Sequence, residues 1–263
     1  LYFPSVVFWS SGVLKDSLLF GSMCWIIAMA VQLAEERRLS VLNWLLLPFM
    51  LYLFYRIKFF IALMLLPLLV LYLGIRMVAQ KTDFLKQVRT QVVAQLLGFS
   101  VLALVGLYLA IGYSNAFFLR NLVYTYNNLL ELSLYQPHIA FSSLEPTVPS
   151  LLINAPEALF SAVYRPYVWE GGNILYLLMS LENLIILALT ILALASLVKY
   201  GVREITLLQV CFVLLILCFG VIIGLSTPNF GTLSRYRIVF LPFLVYLLLQ
   251  NQYAQQLLAK LRL

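Results

Sequence analysis

The stretch NILYLLMSLENLIILALTILALASL occupies residues 173–197 and decides the fold class. It is a continuous apolar run with a single charged residue, Glu182. A helix needs about 20 predominantly apolar residues to cross the hydrocarbon core of a bilayer. The stretch therefore predicts a transmembrane helix that carries one carboxylate along its length.

The composition of the whole chain agrees with this interpretation. Its 263 residues are 63% hydrophobic and 10% charged, whereas soluble domains are typically about 45–50% apolar and about 25% charged. So little charge cannot cover a water-facing surface, which excludes soluble enzymes, secreted disulfide scaffolds and disordered proteins. Because the apolar runs are continuous rather than alternating, we expect an all-α polytopic integral membrane protein.

Seven apolar segments along the chain are predicted to be transmembrane helices. They cover residues ~17–34, ~41–55, ~59–75, ~92–113, ~173–197, ~206–225 and ~238–250. The last is short and is expected to extend into residues 251–253. We expect one transmembrane domain over residues 1–263, with a long extracytoplasmic loop at 114–172 that carries short interfacial helices. One of these is predicted at about 155–163, between Asn154 and Pro166.

The start of the chain is interpreted as the start of a fragment. It begins with Leu1 instead of Met, and the basic region and cleavage site of a signal peptide are missing. We therefore expect further helices upstream.

The basic residues predict the orientation. Ten of the 17 Lys and Arg residues lie on side A, where the odd-numbered segments end, and seven lie on the opposite side B. Most side-A bases are in short links, which is where positive charge marks the cytoplasmic side. Side A and the C-terminus are therefore predicted to be cytoplasmic. The net charge of +7 suits anionic membrane lipid and needs no nucleic acid.

Metal and cofactor chemistry find no support in the sequence. Cys24, Cys211 and Cys218 lie in apolar segments without metal-site or disulfide spacing, and packing explains them. The single histidine, His138, lies in the side-B loop, as a loop residue or as a general base. The chain also lacks a Walker A motif and a G-x-G-x-x-G motif. We expect no metal and no cofactor.

Charged residues gather at side B or just inside the membrane there. Glu182 and Asn183 lie about nine residues into the fifth segment, where an ionisable group is costly unless it is paired, hydrated or protonated. They form either a substrate or proton site or a structural hydrogen bond between helices. Lys15 and Asp16 open the first segment, either as a helix start or as the polar wall of a cavity.

Two further clusters contain arginine. Arg165 with Glu170 is either an ion pair that holds the loop or a phosphate clamp, because a guanidinium contacts phosphate through two nitrogens. Arg235 and Arg237 precede the last segment on the less positive side, which suggests contact with an anionic substrate. They share a face only if that stretch is extended, since in a helix they diverge by about 200°.

Together these groups predict a basic cavity, rimmed by aromatic residues, that opens to the outer face. A lipid-linked phosphate or pyrophosphate would suit it. The residues expected there are Lys15, Asp16, Arg56, Lys58, Arg165, Glu170, Glu182, Arg235 and Arg237.

Three stretches carry a resemblance to a known group of proteins. They are PSVVFWSSG at 4–12 with Lys15 and Asp16, YRPYVWE at 164–170 with Leu181-Glu182-Asn183, and NFGTLSRYR at 229–237. Together they resemble the bacterial polytopic glycosyltransferases and O-antigen polymerase-like membrane proteins of polysaccharide loci. The resemblance implies a multi-pass protein of the bacterial inner membrane that acts on polyprenyl-phosphate-linked sugars at the periplasmic face.

The resemblance also implies roles for individual residues. Arg165, Arg235 and Arg237 would hold the pyrophosphate, and Glu170 or Asp16 would act as the catalytic acid or base. Lys15, Arg56, Glu182 and Asn183 complete the expected substrate-binding set. In the C superfamily of glycosyltransferases the catalytic acid lies instead in the first outer loop, which would precede Leu1.

Two other functions stay open. The chain could be a non-catalytic membrane subunit that holds protein partners in a larger assembly, with structural roles for its polar groups. It could also be a transporter of lipid-linked glycans, which would need a passage to side A. Against transport, few polar residues lie deep in the segments, and inverted repeats are not evident.

Overall fold

A computed structural model describes residues 3–12, 15–112, 117–171, 173–201 and 205–260. The described residues form α-helices and short 3₁₀ helices joined by turns and by one longer connection at 132–147, and no β-strand occurs among them. The helices are α1 (Pro4–Ser11), α2 (Lys15–Ala34), α3 (Val41–Ile57), α4 (Phe59–Lys81), α5 (Val88–Gly112), α6 (Phe117–Glu131), α7 (Val148–Tyr164), α8 (Ile174–Tyr200), α9 (Leu207–Ser226), α10 (Phe230–Tyr236), α11 (Leu241–Leu248) and α12 (Gln252–Lys260).

Five of these helices are long and apolar enough to cross a membrane. They are α2, α4, α8, α9 and residues Val88–Leu109 of α5. A sixth span is reached if the bent pair Phe230–Val239 and Leu241–Leu248 is counted as one. This architecture fits the all-α multi-pass membrane protein expected from the sequence, with five or six qualifying helices where seven segments were predicted.

The second predicted segment forms a helix that is too short to qualify as a membrane span. Its helix, α3, has 17 residues and an internal Pro48. At about 1.5 Å per residue it measures about 26 Å, below the roughly 30 Å of a typical hydrocarbon core. Lys58 is the only residue between α3 and α4, and the two helices contact each other.

The seventh predicted segment is not one helix. A 3₁₀ turn at Arg237–Val239 follows α10, and the chain then bends by 66° into α11. Pro242 lies in the first turn of α11, where its missing N–H is tolerated, whereas further inside a helix it would break the ladder. The expected extension through residues 251–253 is wrong, because α11 ends at Leu248 and Asn251 caps a new helix by accepting from the Ala254 N–H at 2.9 Å.

The predicted loop at 114–172 is mostly helical where the structure describes it. It contains α6 and α7. The predicted helix at 155–163 begins earlier, at Val148, because the Thr147 hydroxyl caps it by accepting from the Ser150 N–H. Asn154 therefore lies inside the helix, where its Nδ2 donates to the Ser143 and Ser150 carbonyls. The helix ends at Tyr164, just before the Arg165-Pro166 pair.

The chain divides into two compact units. The hairpin unit comprises Phe8–Gly106 and Ile205–Leu215. In it α2 packs against α3 and α4, with Leu19, Met23, Leu65 and Leu69 buried in its core.

The site unit comprises Leu1–Val7, Leu107–Glu204 and Ile216–Leu263. Its apolar core contains Leu122 and Val123 of α6, Ala158 of α7 and Leu225 of α9. The Tyr126 hydroxyl of α6 donates to the Ile139 carbonyl and accepts from the Phe141 N–H, both at 3.1 Å. Burial raises the pKa of Tyr126, so this bridging hydroxyl stays neutral at ordinary pH.

Hydrogen bonds connect the segment after α6 with the beginning of α10. The Ile139 N–H donates to the Pro228 carbonyl at 3.0 Å, and Asn229 Nδ2 donates to Ser133 Oγ at 2.9 Å. Asn229 also caps α10 by accepting from the Thr232 N–H. These bonds fix the helix that leads to Arg237.

Candidate functional site

The polar centre of the site unit is the Asn183 side chain on α8. Its Nδ2 donates to the Pro166 carbonyl at 3.0 Å, and its Oδ1 accepts from Arg237 Nη1 at 2.6 Å. Asn183 therefore connects α8, the turn after α7 and the 3₁₀ turn that carries Arg237. The three elements come from stretches that are far apart in the sequence.

Among the described residues, Arg237 is the largest fully buried side chain, with 0% exposure. Its Nε and Nη2 are buried and have no hydrogen-bond partner among the described residues. These two nitrogens lie on one edge of the guanidinium plane, the edge that contacts both oxygens of a carboxylate or phosphate. We call it the open edge of Arg237. Burying donors without partners costs free energy, more so on a charged group.

Glu182 occupies the neighbouring position on α8 and is also buried. Its Oε1 accepts from Ser5 Oγ at 2.7 Å, and its Oε2 accepts from the Ser5 backbone N–H at 3.2 Å. That N–H lies in the first turn of α1, where helical N–H groups lack intrahelical partners and favour negative charge. Of the two interpretations of Glu182, the geometry supports the structural bond between helices. The carboxylate also acts electrostatically on Arg237.

Arg165 and Glu170 form the ion pair that the sequence suggested. Arg165 Nε donates to Glu170 Oε1 at 2.7 Å, Nη2 contacts the same oxygen, and Nη2 also donates to the His138 carbonyl at 3.2 Å. The second carboxylate oxygen of Glu170 accepts from the Tyr167 N–H at 2.7 Å. The guanidinium carbon lies 5.2 Å from the centre of the Phe230 ring. The pair fixes the turn at 165–170.

A cavity of about 300 Å³ lies between this turn and the beginning of α8. Its walls include Tyr167, Val168, Asn173, Ile174, Tyr176 and Ser180. A smaller, mostly apolar cleft shares Tyr167, Val168 and Ser180 with it and reaches Asn183. The cavity and the cleft thus share Tyr167, and the cleft is also lined by Asn183, the residue that holds Arg237.

Tyr167 is held in place on several sides. Its ring stacks on Trp169 with centroids 4.9 Å apart and an interplanar angle of 18°. Burial raises the pKa of its hydroxyl, although the Arg165 guanidinium opposes this effect. The hydroxyl is therefore neutral around pH 7 and can both donate and accept hydrogen bonds.

Arg235 and Arg237 diverge, because the stretch is helical and not extended. Arg237 points into the protein, whereas Arg235 is partly exposed, donates to the Tyr236 hydroxyl at 3.3 Å and lies over that ring at 5.1 Å. The shared anion-binding face that required an extended stretch does not form.

The other predicted site residues belong to the hairpin unit. Asp16 is buried at the beginning of α2 and pairs with Lys58 at 3.9 Å. Lys15 and Arg56 are exposed. The structure thus assembles Arg165, Glu170, Glu182, Asn183 and Arg237 within one unit, and it groups Lys15, Asp16, Arg56 and Lys58 in the other.

Several residues of the site were missed in the sequence. Ser5 lies within the stretch at 4–12 but was not predicted as a site residue, although it donates hydrogen bonds to both carboxylate oxygens of Glu182. Tyr176 and Asn173 were not considered, although Asn173 directly precedes a long apolar run and caps α8 by accepting from the Tyr176 N–H at 3.1 Å. A polar residue directly before such a run was the available signal for a helix cap.

Within the described ranges, no group of three or more His, Cys, Asp or Glu side chains could hold a metal ion. His138 contributes its carbonyl to Arg165, and its Nδ1 lies 2.8 Å from the Gln136 carbonyl. Comparison of the chain with protein-family models, curated proteins and solved structures found no match.

Proposed function

We propose that this chain is a membrane-embedded glycosyltransferase or polysaccharide polymerase that acts on polyprenyl-phosphate-linked sugars at the extracytoplasmic face of the bacterial inner membrane. The observation that carries the proposal is the open edge of Arg237. A buried guanidinium with two unmet donors on one edge matches the fork geometry by which arginine holds phosphate. The resemblance of residues 164–170 and 229–237 to polymerase-like proteins points to the same ligand.

The proposed reaction transfers a glycosyl group to an acceptor sugar. The acceptor oxygen bonds to the anomeric carbon, the bond from that carbon to the phosphate oxygen breaks, and its electron pair leaves with the lipid pyrophosphate. Arg237 and Arg165 would offset the negative charge that grows on the leaving group. Glu170, a carboxylate of the same unit, would take the proton of the acceptor hydroxyl.

The ion pair of Arg165 couples these two roles. Glu170 Oε1 is engaged by Arg165, and Oε2 holds the Tyr167 N–H. If Arg165 turns towards a bound phosphate, Glu170 Oε1 loses its cationic partner and becomes available as a base. Binding of the lipid-linked sugar donor would then activate Glu170 as the base.

The proposed topology has seven crossings, with α3 as the second and the bent pair α10–α11 as the seventh. The region between α5 and α8 is extracytoplasmic in this arrangement, and the C-terminus is cytoplasmic. Membrane lipid surrounds the spans, and the polyprenyl tail of the substrate lies in the same hydrocarbon layer.

A substitution of Arg237 tests the proposal. In Arg237→Lys the positive charge stays but the two-nitrogen edge is lost. We expect native mass spectrometry of the full-length protein in nanodiscs to show long-chain polyprenyl pyrophosphate bound to the wild type. Binding should be at least tenfold weaker in Arg237→Lys and unchanged in Arg120→Lys, a matched change at an exposed arginine of α6. Equal binding by wild type and Arg237→Lys would contradict the proposal.

One observation favours the second candidate, a non-catalytic membrane subunit. Within the site unit, Glu170 and Glu182 both use their two oxygens on structural partners. A stoichiometric protein partner in the same mass spectra, without polyprenyl lipid, would support the subunit and reject the enzyme.

A further inference from the structure

The cavity at the beginning of α8 has a lining of distinctive chemistry. None of the residues described around it carries a charge. Its volume of about 300 Å³ is at the lower end of the roughly 300–1,000 Å³ typical of small-molecule sites. A phosphate group or a metal ion would find no counter-charge on these walls, so a neutral ligand is favoured.

The walls combine apolar surface with hydrogen-bonding groups. Val168 and Ile174 supply aliphatic surface, Asn173 supplies an amide, and Tyr167 supplies a hydroxyl, while the Tyr167 ring itself is stacked on Trp169 and lies under the Arg165 guanidinium. A sugar ring has the same alternation, because it presents C–H groups on its faces and hydroxyls around its edge. A purely apolar lipid tail would leave the amide and hydroxyls of these walls without partners.

Two polar groups in the cavity keep free hydrogen-bonding capacity. Asn173 uses Oδ1 to cap α8, and its Nδ2 has no protein partner among the residues that the structure covers. The Tyr167 hydroxyl likewise has none there. The Tyr176 hydroxyl is already engaged, because it donates to Gln136 Oε1 at 3.1 Å and has a backbone hydrogen bond with Gly231. The cavity thus offers a ligand two donor groups, and one of them, the Tyr167 hydroxyl, can also accept.

The wall is also rigid, which lowers the entropic cost of binding. Tyr167 is stacked on Trp169, and its N–H is held by Glu170, which is itself paired with Arg165. Ser180, which lines both the cavity and the cleft, is three residues before Asn183 on α8. The cavity therefore lies within about one helical turn, roughly 5.4 Å of axial rise, of the residue that holds Arg237.

We propose that this cavity binds one sugar ring of the lipid-linked glycan, next to the phosphate held by Arg237. The inference deepens the proposed function and rests on it. In this arrangement Asn173 and Tyr167 contact sugar hydroxyls, Val168 and Ile174 contact the C–H faces, and Arg237 holds the phosphate end.

The test measures saccharide binding with the full chain in nanodiscs. Saturation-transfer NMR would be recorded with glucose, galactose and N-acetylglucosamine as probes. Asn173→Asp keeps an oxygen that caps α8 and removes the amide donor, so we expect at least tenfold weaker binding with an unchanged melting temperature. Tyr167→Phe should also weaken binding. The matched controls are Asn128→Asp and Tyr135→Phe, which change exposed residues outside the cavity.

The outcomes separate this inference from the proposed function. Saccharide binding that is lost in Asn173→Asp and kept in Asn128→Asp supports the cavity assignment. Polyprenyl pyrophosphate binding that depends on Arg237, without a signal from any saccharide, overturns the cavity assignment and leaves the function standing. Saccharide binding that is equal in wild type and Asn173→Asp also overturns it. Saccharide binding without any polyprenyl lipid supports the cavity and rejects the function.

Discussion

At the residue scale, Glu182 and Arg237 are opposite charges buried in one unit without a direct ion pair. Each has its own neutral neighbour, Ser5 for the carboxylate and Asn183 for the guanidinium. The carboxylate still offsets part of the charge of Arg237 through space. In this arrangement the open edge of Arg237 stays free of Glu182, which a direct salt bridge would prevent.

Glu182→Gln should therefore destabilise the protein by about 1–3 kcal/mol, the cost of an unsatisfied buried donor. A glutamine side chain presents an NH₂ group to one of the two donors of Ser5, and it removes the charge that offsets Arg237. The measurement is thermal unfolding in detergent, with Glu131→Gln, at an exposed position of α6, as the control. The double variant with Arg237→Gln should lose less than the sum of the two single changes. Equal melting of Glu182→Gln and the control would contradict the assigned contact.

The sequence identified Glu182 and Arg237 by two different signals. Glu182 was evident because a carboxylate inside an apolar run is costly, and Arg237 because basic residues break the charge trend on the less positive side. Neither signal indicates which residue the side chain contacts in the folded protein. Ser5 lies 177 positions from Glu182, and only the tertiary structure brings the two side chains together. The separation of Arg235 from Arg237 depended on whether that stretch was helical, which the sequence left open.

At the element scale, the contact of α7 with α9 depends on two glycines one turn apart. A Cβ at Gly224 would collide with the backbone carbonyl of Ala158, and a Cβ at Gly220 would collide with the end of the Leu159 side chain. The pair forms a G-x-x-x-G motif, which allows close helix packing in membranes. The backbone of α7 cannot move aside as the Leu159 side chain can. The two glycine positions should therefore differ in how well they tolerate substitution by alanine.

Gly224→Ala should be the more damaging change, near the upper end of the roughly 1–3 kcal/mol cost of overpacking. Gly220→Ala should be milder and should be rescued by Leu159→Ala, which removes the colliding atoms. Gly106→Ala, at an α5 position with nothing within 4 Å, should be neutral or stabilising by up to about 1 kcal/mol. Melting temperatures in detergent check this order. Equal melting temperatures of Gly224→Ala and Gly106→Ala would contradict the close contact of α7 with α9.

Helix existence was easier to predict than helix limits. The long apolar runs gave the ends of α2, α8 and α9 within three residues and those of α5 within four, because burial in lipid needs only length and hydrophobicity, whereas α4 extends six residues beyond its predicted end. The beginning of α7 was missed by seven residues, since Asn154-Ala155-Pro156 looked like a cap while Thr147 provides it. The cavity walls were missed as a group because they come from a turn and a helix start whose contact is tertiary.

At the scale of the whole molecule, the topology depends on α3. It is about 26 Å long, a few ångströms below a typical bilayer core, and thinner membranes of about 27 Å exist. Its side chains Val41, Leu45, Phe49 and Tyr52 are all more than half exposed, which suits contact with lipid. Arg56 at its end can extend along the apolar surface to reach the headgroups, as long basic side chains do. These features favour α3 as a crossing.

Single cysteines at the two ends of α3 test this topology. Cys24, Cys211 and Cys218 would first be changed to alanine, and a membrane-impermeant maleimide would be applied to intact bacterial cells. If α3 crosses, Arg38→Cys and Arg56→Cys lie on opposite sides. We expect Arg56→Cys to be labelled together with Tyr135→Cys in the predicted extracytoplasmic region, while Arg38→Cys is labelled only after lysis. Identical labelling of the two α3 ends would mean that α3 does not cross. Every later span would then reverse its direction relative to Arg38, and the region between α5 and α8 would lie on the same side as both ends of α3. The proposed extracytoplasmic location of the sugar cavity would then require that side to be periplasmic. Such an orientation would oppose the positive charge of the short links on that side, which predicts a cytoplasmic location.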